Sequence, residues 1–230
     1  MKDTLLAGLP ALGLTLTGAQ ADTLCAFGAA LLEKNRVMNL TAITDPAAVA
    51  ELHFLDSLAL LNTADFRGKT TLDVGCGAGF PGVPLKIAEP TLRLTLLDSL
   101  GKRMDWLAAA LPALGVEAEC VTARAEDYVA GRRESFDLVT SRAVARLDIL
   151  AELCLPFVKV GGAFLAMKGA GAEAEAAGAA RAIRVLGGRL ERIYEYPVGG
   201  AVHRVAVIRK ERPTPAAYPR RYAKIKQQPL

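Results

Sequence analysis

Apolar side chains in the first part of the chain recur at the three- and four-residue spacing of one helix face. Leu24, Phe27 and Leu31 follow this spacing, which predicts a helix from Thr17 to about Val37. Thr17 can cap the first turn, because its hydroxyl oxygen can accept a hydrogen bond from a backbone N–H group that has no helical partner.

A second helix is predicted to begin near Pro46, directly after the sequence NLTAITD. Asp45 can cap this helix, and proline is tolerated in a first turn because it lacks only an N–H that would have no partner there. Together the two helices predict that residues 1–66 form a helical N-terminal region.

From residue 70 the pattern changes to short apolar runs that are typical of buried strands. These runs are TTLDV (70–74), LRLTLL (92–97), VEAECVT (116–122), FDLVTS (136–141) and GAFLAMK (162–168). Helical stretches of roughly 10 to 15 residues separate them, which indicates parallel βαβ units. The next two runs, GGRLERIYEYPV and AVHRVAVIRK, follow each other without a helix and predict an antiparallel hairpin. We therefore expect an α/β domain at residues 67–211 with a doubly wound, mostly parallel sheet, followed by a basic tail at 212–230.

The composition fits a soluble protein with a large core, since 52% of the residues are hydrophobic and the net charge is only +4. The four cysteines form no CxxC pair, which favours reduced thiols in a cytoplasmic protein over a metal site. The stretch LLAGLPALGLTLTGAQA near the start resembles a secretory leader, but Asp3 and the interruptions Gly8 and Pro10 argue against one. No uninterrupted apolar run reaches the roughly 18 residues of a membrane-spanning helix, so no membrane association is expected.

The sequence LDVGCGAGFPGVPL, at residues 72–85, passes from the first predicted strand into a glycine-rich loop. Gly75, Gly77 and Gly79 allow the backbone to approach a ligand at the carboxyl edge of the sheet. A dinucleotide-binding pattern, G-x-G-x-x-G, is also present from Gly77 to Gly82, but it begins two residues too late after the strand. The loop therefore favours a nucleotide-type cofactor other than NAD.

Two further strand ends supply candidate cofactor contacts. Asp98 ends the second strand, where its carboxylate could accept hydrogen bonds from both hydroxyls of a ribose; it could also cap the next helix near Gly101. Ala125 and Glu126 follow the third strand at the same sheet edge, where an adenine would lie, although a surface loop would look the same.

Several blocks occur together in one order: NLTAIT, HFLDSLAL, LDVGCGAGFPGVPLKIA, TLLDSLGKRMDWL, ARAED, FDLVTSRAVARL, GGAFLAMKG and YPRR. Over roughly residues 33–230 the chain resembles the bacterial small-subunit rRNA guanine-N7 methyltransferases, also called the glucose-inhibited division protein B family. The resemblance implies a class I methyltransferase fold, S-adenosylmethionine as cofactor, and 16S rRNA, within the small ribosomal subunit, as substrate. It implies cofactor contacts at Gly75, Phe80, Asp98, Ser99, Leu100, Ala125, Glu126 and Arg142, to which the loop adds Gly77 and Gly79. The chain departs from the family pattern at Cys76, Tyr222, Ala223 and Ile225.

The residues after the fourth strand fit methylation of guanine N7 better than of other acceptors. An Asn/Asp-Pro-Pro-aromatic loop for exocyclic amines is replaced by TSRAVARL, and no cysteine nucleophile for cytosine C5 lies in a suitable loop after the fourth or fifth strand. The N7 lone pair is free at neutral pH, so its attack on a methyl group requires no general base. Arg142 is predicted to position the substrate or to order the cofactor loop, and Arg146 and Lys168 are candidate RNA contacts.

Two other groups could contribute to the substrate site. His53 and Asp56 lie on one helix face and are expected to join the helical region to the catalytic domain, with a direct chemical role for His53 as the alternative. The stretch 209–226 carries seven Lys or Arg residues against one Glu, interleaved with tyrosines. Its RNA contacts are predicted at Arg220, Arg221, Lys224 and Lys226.

These observations predict a monomeric RNA methyltransferase, and two other classes of function stay open. A methyltransferase acting on a protein or a small molecule would share the cofactor loop, but its activity would be insensitive to salt. A non-catalytic RNA-binding module would bind RNA without transferring a methyl group.

Overall fold

The computed structural model of the protein describes residues 1–142 and 145–230. Its strands are β1 (Thr70–Val74), β2 (Arg93–Asp98), β3 (Glu119–Thr122), β4 (Phe136–Arg142), β5 (Val158–Lys168), β6 (Gly188–Val198) and β7 (Ala201–Lys210). Within the described residues these seven strands form one sheet in the order β3-β2-β1-β4-β5-β7-β6. Strands β1 to β5 pair in parallel, and β7 pairs antiparallel with both β5 and β6. This confirms the predicted α/β fold with its C-terminal hairpin.

The α-helices are α1 (Lys2–Gly8), α2 (Gly18–Met38), α3 (Pro46–Val49), α4 (Asp56–Leu58), α5 (Gly82–Ala88), α6 (Gly101–Ala113), α7 (Ala125–Tyr128), α8 (Leu147–Cys154), α9 (Ala172–Val185) and α10 (Tyr222–Gln227). A π-helical segment, Ala50–Leu55, joins α3 to α4, and 3₁₀ turns lie at Leu9–Leu12, Ala59–Asn62 and Leu155–Phe157. In the part of the chain that the structure describes, no helix is both long and apolar enough to cross a membrane.

Both predicted helix starts in the N-terminal region are confirmed. The Thr17 hydroxyl accepts the N–H of Gln20 at 3.2 Å, and the Gln20 side chain accepts the N–H of Thr17 at 2.8 Å, forming a capping box. Asp45 accepts the N–H of Ala48 at 2.8 Å and caps α3. These caps satisfy backbone donors that the first helical turn leaves without partners.

β2 begins one residue after its predicted start, whereas β3 and β5 begin further from theirs. β3 starts at Glu119, because Val116 still donates its N–H to Leu111 at the end of α6, and Gly115 turns the chain at φ +67°. β5 starts at Val158, where a register irregularity opposite β4 lets the strand continue through two glycines. In both cases the difference arises from hydrogen bonding that the apolar pattern does not encode.

The two faces of the sheet carry separate hydrophobic clusters. One cluster joins the N-terminal helices to α5 and α6, and the rings of Phe27 and Phe80 lie 5.7 Å apart within it. The other packs α8, α9 and the C-terminal Ile225 against the opposite face. The helical N-terminal region thus shares its core with the sheet, which fixes its position above the glycine-rich loop.

Candidate cofactor and substrate site

The glycine-rich loop leaves the carboxyl end of β1 beside the point where strand order reverses between β1 and β4. Gly75, Gly77 and Gly79 have φ values of +70°, +58° and +95°, which side chains rarely adopt. A Cβ on Gly79 would also lie 2.7 Å from the Val83 side chain. The loop therefore depends on glycine for its backbone conformation and, at Gly79, for close packing against α5.

A buried carboxylate that the sequence analysis missed holds this loop in place. Asp73, inside β1, accepts the N–H of Gly82 at 2.8 Å and the hydroxyl of Thr140 at 3.1 Å. Burial raises the pKa of Asp73 to about 7, although both hydrogen bonds favour its charged form. The signal in the sequence was a charged residue between Leu72 and Val74 in a buried strand.

Asp98 connects the loop after β1 to the loop after β2. Its two carboxylate oxygens accept the N–H groups of Gly77 at 3.0 Å and Leu100 at 2.9 Å. The guanidinium of Arg103 lies 3.9 Å from one of them. Leu100 is the N-cap residue of α6, so Asp98 bonds the backbone just before the helix and not an N–H inside its first turn. A carboxylate has lone pairs beyond these two contacts, which leaves acceptor capacity for ribose hydroxyls.

A cavity of about 470 Å³ lies at the carboxyl ends of β1 to β4. It is lined by seven of the predicted cofactor residues: Gly75, Asp98, Ser99, Leu100, Ala125, Glu126 and Arg142. Predicted contacts Gly77, Gly79 and Phe80 do not line it. Residues that were not predicted also line it, and they are Val74, Leu97, Arg103, Ala123, Arg124, Leu153 and Tyr222. Arg124 is next to the predicted Ala125 in sequence and Arg103 lies three residues after the predicted Leu100, whereas no sequence signal placed Tyr222 there.

Phe80 links the glycine-rich loop to the helical region instead of lining the cavity. Its buried ring stacks on the imidazole of His53, with 4.5 Å between ring centroids. The guanidinium carbon of Arg142 lies 4.9 Å from the Phe80 centroid, within the range of a cation–π interaction. Arg142 therefore lines the cavity while contacting the aromatic pair behind it.

His53 is held as a neutral imidazole. Its Nδ1 lies 3.1 Å from a guanidinium nitrogen of Arg142, which can only donate, so Nδ1 accepts and Nε2 carries the proton towards the Thr41 hydroxyl at 2.8 Å. Burial, reinforced by the charge of Arg142, lowers the pKa of His53 to about 4. A group of this kind at neutral pH orients its neighbours and does not supply a positive charge.

Asp56 joins three elements in one buried network. One carboxylate oxygen accepts the Tyr196 hydroxyl and the His203 Nδ1–H, each at 2.8 Å, and the other accepts Arg142 at 3.2 Å. Arg142 also donates to the Leu52 carbonyl at 3.3 Å. The expected joining role of His53 and Asp56 agrees with this geometry, and the network extends it to the hairpin β6–β7.

The predicted RNA-binding cations fall into two groups. Lys168 is 6% exposed and donates to the Ala145 carbonyl at 2.6 Å and to Glu175 at 2.8 Å. Arg220 forms a two-pronged pair with the fully buried Glu152. Both side chains are thus engaged in bonds inside the protein, and RNA contacts through them stay a prediction. The exposed group comprises Arg146, Arg221, Lys224 and Lys226, of which Arg146 pairs with Asp148.

The described residues contain no group of three or more side chains suited to holding a metal ion. The arrangement of the cavity thus rests on backbone N–H groups, carboxylates and guanidinium groups.

The family model described as rRNA small subunit methyltransferase G matches residues 20–198. Curated relatives called ribosomal RNA small subunit methyltransferase G are similar over the whole chain. The relative from Pelotomaculum thermopropionicum is 44% identical over 236 residues, covering 100% of this chain and 99% of that protein. The relative from Alkaliphilus oremlandii is 45% identical over 238 residues with the same coverage.

Solved structures share the sheet at lower identity. TrmN from Thermus thermophilus matches with a TM-score of 0.53 and 22% identity, over 68% of this chain and 48% of its own. A SAM-dependent methyltransferase from Aquifex aeolicus matches with a TM-score of 0.53 and 17% identity, over 71% and 93%. TYW2 from M. jannaschii, in complex with AdoMet, matches with a TM-score of 0.55 and 13% identity, over 67% and 49%. At these identities the likeness establishes the fold alone.

Proposed function

Since this chain belongs to the rRNA small subunit methyltransferase G family, we propose that it transfers a methyl group from S-adenosylmethionine to N7 of a guanine in 16S rRNA. The observation that carries the proposal is the cavity at the carboxyl ends of β1 to β4, bounded by the glycine-rich loop and Asp98. A mostly parallel sheet binds nucleotide cofactors at this edge, next to its topological switch point.

The residues of the cavity fit S-adenosylmethionine. Asp98 offers acceptor capacity for the ribose hydroxyls, Leu100 and Ala125 give apolar surface for an adenine, and Gly75 brings the backbone close. The bound cofactor supplies a methyl group on a positively charged sulfur. The protein holds the methyl group towards the part of the cavity that Arg142 lines.

Methylation at guanine N7 suits the chemistry of the residues around Arg142. The nitrogen already carries an available lone pair, so the reaction removes no proton from the acceptor. His53 is neutral and engaged on both ring nitrogens, which fits a site without a general base. The rate then depends on how well N7 is aligned with the methyl group, and such positioning can lower the activation barrier by roughly 7–11 kcal/mol. Arg142, fixed by Asp56 and His53, is the positioning group for the guanine edge or a flanking phosphate.

An RNA substrate is favoured by exposed cations near the cavity. Arg221, Lys224 and Lys226 lie on or next to α10, whose first residue lines the cavity. Such side chains attract phosphates without reading sequence, and the family membership supports 16S rRNA as the target.

The proposal is tested with methyl-labelled S-adenosylmethionine and unmodified 16S rRNA, supplied naked and as small subunits, followed by nucleoside analysis. Label in 7-methylguanosine is the expected result. Label in another nucleoside, or in protein alone, would contradict the acceptor assignment, and RNA binding without any transfer would favour the non-catalytic module.

A matched pair of variants tests the cofactor site. Asp98→Asn should weaken binding of S-adenosylhomocysteine about 10- to 100-fold, because a charged acceptor for the ribose is lost. Asp105→Asn makes the same change on the exposed surface of α6 and should bind as the wild type does. Equal affinities for both variants would show that Asp98 makes no such contact.

A further inference from the structure

The chain after β7 is fastened across the protein and does not hang free as a basic tail. Arg133 donates to the carbonyl of Thr214 at 3.2 Å and also to that of Tyr218. The Arg220 side chain pairs with Glu152 through bonds of 2.8 and 2.6 Å. Ile225 is completely buried in the hydrophobic cluster that includes α8. These contacts give the segment 214–225 a fixed course.

This course brings Tyr222 to the cavity between the ends of β2 and β3. The Tyr222 N–H lies 3.3 Å from a carboxylate oxygen of Glu126, and the guanidinium carbon of Arg124 lies 5.5 Å from its ring centroid. Tyr222 lines the cavity together with apolar residues that follow β2 and β3, among them Leu100 and Ala125. This is the end of the cavity farthest along the sheet from β4.

Tyr222 also differs chemically from its neighbours in the wall. Among the described residues that line the cavity, it is the one aromatic side chain. Phe80, the aromatic residue of the glycine-rich loop, packs against His53 and does not line the cavity. A purine presents a flat π surface, and aromatic side chains bind such surfaces by stacking.

We propose that Tyr222 is a cofactor-binding residue that forms the aromatic wall of the adenine end of the S-adenosylmethionine site. This inference rests on the proposed function, since it assigns the adenosine part of that cofactor to the β2–β3 end of the cavity. The cation of Arg124 over the ring and the hydrogen bond to Glu126 hold Tyr222 in position.

The test is calorimetric titration of the full-length protein with S-adenosylhomocysteine. Tyr222→Ala should raise the dissociation constant about 5- to 100-fold, the range found when a stacking aromatic is removed. Tyr222→Phe keeps the ring and should bind within about twofold of the wild type. Tyr218→Ala removes a tyrosine of the same segment outside the cavity and should also leave affinity nearly unchanged. In steady-state methylation, Tyr222→Ala should raise KM for S-adenosylmethionine with little change in kcat.

The outcomes separate this inference from the proposed function. If the wild type binds no S-adenosylhomocysteine, both are wrong. If the wild type binds but Tyr222→Ala binds equally well, or if Tyr218→Ala weakens binding as much, the aromatic wall is wrong and the proposed function stands. Should Tyr222→Ala lower the melting temperature of the ligand-free protein, Tyr222→Leu retains apolar bulk and is measured instead. Because leucine has no ring face, that variant should still bind several-fold more weakly, and unchanged affinity would overturn the proposal.

Discussion

His53, Asp56 and Arg142 take their hydrogen-bonding roles from one another in a network that is largely buried. His53 and Asp56 stand three residues apart in the sequence, yet one is a neutral donor and acceptor and the other a charged acceptor. Arg142 contacts both, and it also reaches the Phe80 ring and the cavity. The position of one guanidinium therefore depends on a network of buried partners.

The buried His53 should make stability depend on pH below neutrality. Its pKa falls from 6.5 in the unfolded chain to about 4 in the folded protein, so between these values the unfolded state binds more protons. The contribution of His53 to the free energy of unfolding is complete above pH 6.5. It is lost as the pH falls towards 4, by at most about 1.4 kcal/mol per pH unit.

Urea unfolding of the wild type and of His53→Asn at several pH values measures this contribution. The stability advantage of the wild type over the variant should shrink as the pH falls from 6.5 to 4. A difference that stays constant across that range would mean that His53 titrates normally in the folded protein.

Replacing Asp56 should disturb the position of Arg142 more than it weakens cofactor binding. Asp56→Asn removes the charge that accepts from Arg142, Tyr196 and His203, and it should cost roughly 1–3 kcal/mol of stability. Because Asp56 does not line the cavity, affinity for S-adenosylhomocysteine should change little while kcat falls. Calorimetric titration measures the affinity and initial rates measure kcat. A large loss of affinity with normal kcat would refute this prediction.

At the scale of elements, the loop between β1 and α5 is the most constrained part of the site. Asp73 accepts the backbone N–H of Gly82, and Asp98 accepts that of Gly77. Its glycines are not equivalent, because Gly79 is packed tightly whereas a Cβ on Gly77 would meet only the end of Arg103 at 3.8 Å. Gly77 is therefore required only for its backbone conformation, whereas Gly79 is also required for close packing.

Alanine substitutions should separate these two demands. Gly77→Ala should cost about 1 kcal/mol, the penalty of a left-handed backbone for a residue with a side chain. Gly79→Ala should cost at least twice as much, since its Cβ would also press on Val83 and Leu107. Chemical denaturation of both variants gives the comparison, and equal losses would show that packing at Gly79 adds nothing.

At the scale of the whole molecule, the N-terminal helices and the C-terminal segment approach the cavity from opposite sides of the sheet. The helices share the core of one face, and Ile225 fastens the segment to the other. The boundaries predicted at residues 66 and 211 stay predictions about the sequence, because both flanking regions contribute side chains to the clusters of the central sheet.

RNA binding should depend on the exposed cations and not on the buried ones. Replacing Arg221 and Lys224 together by Ala should weaken binding to RNA of any sequence. The slope of log binding constant against log salt concentration should decrease in magnitude by about one per lost phosphate contact. Lys168→Ala should instead reduce stability and leave the slope unchanged, because its ammonium is bonded to Ala145 and Glu175. Filter binding across a salt series distinguishes the two, and a slope change confined to Lys168→Ala would reverse this assignment.

The sequence by itself determined where the helices of the N-terminal region begin and that the sheet is mostly parallel with a C-terminal hairpin. Thr17 and Asp45 marked helix starts because capping is a local interaction, and the alternation of apolar runs with helical stretches indicated parallel strands. The strand-end residues Asp98 and Ala125 were predictable because the carboxyl ends of parallel strands meet at one edge.

Only the tertiary structure decided which distant residues complete the site. Tyr222 lines the cavity although about 120 residues separate it from Leu100, and Asp56 meets His203 across a separation of 147 residues. It also decided that Lys168 and Arg220 are internal ion partners, a distinction that charge patterns cannot make. The physical reason is that such contacts depend on how separate elements pack, and packing brings together residues whose spacing in the chain carries no periodic signal.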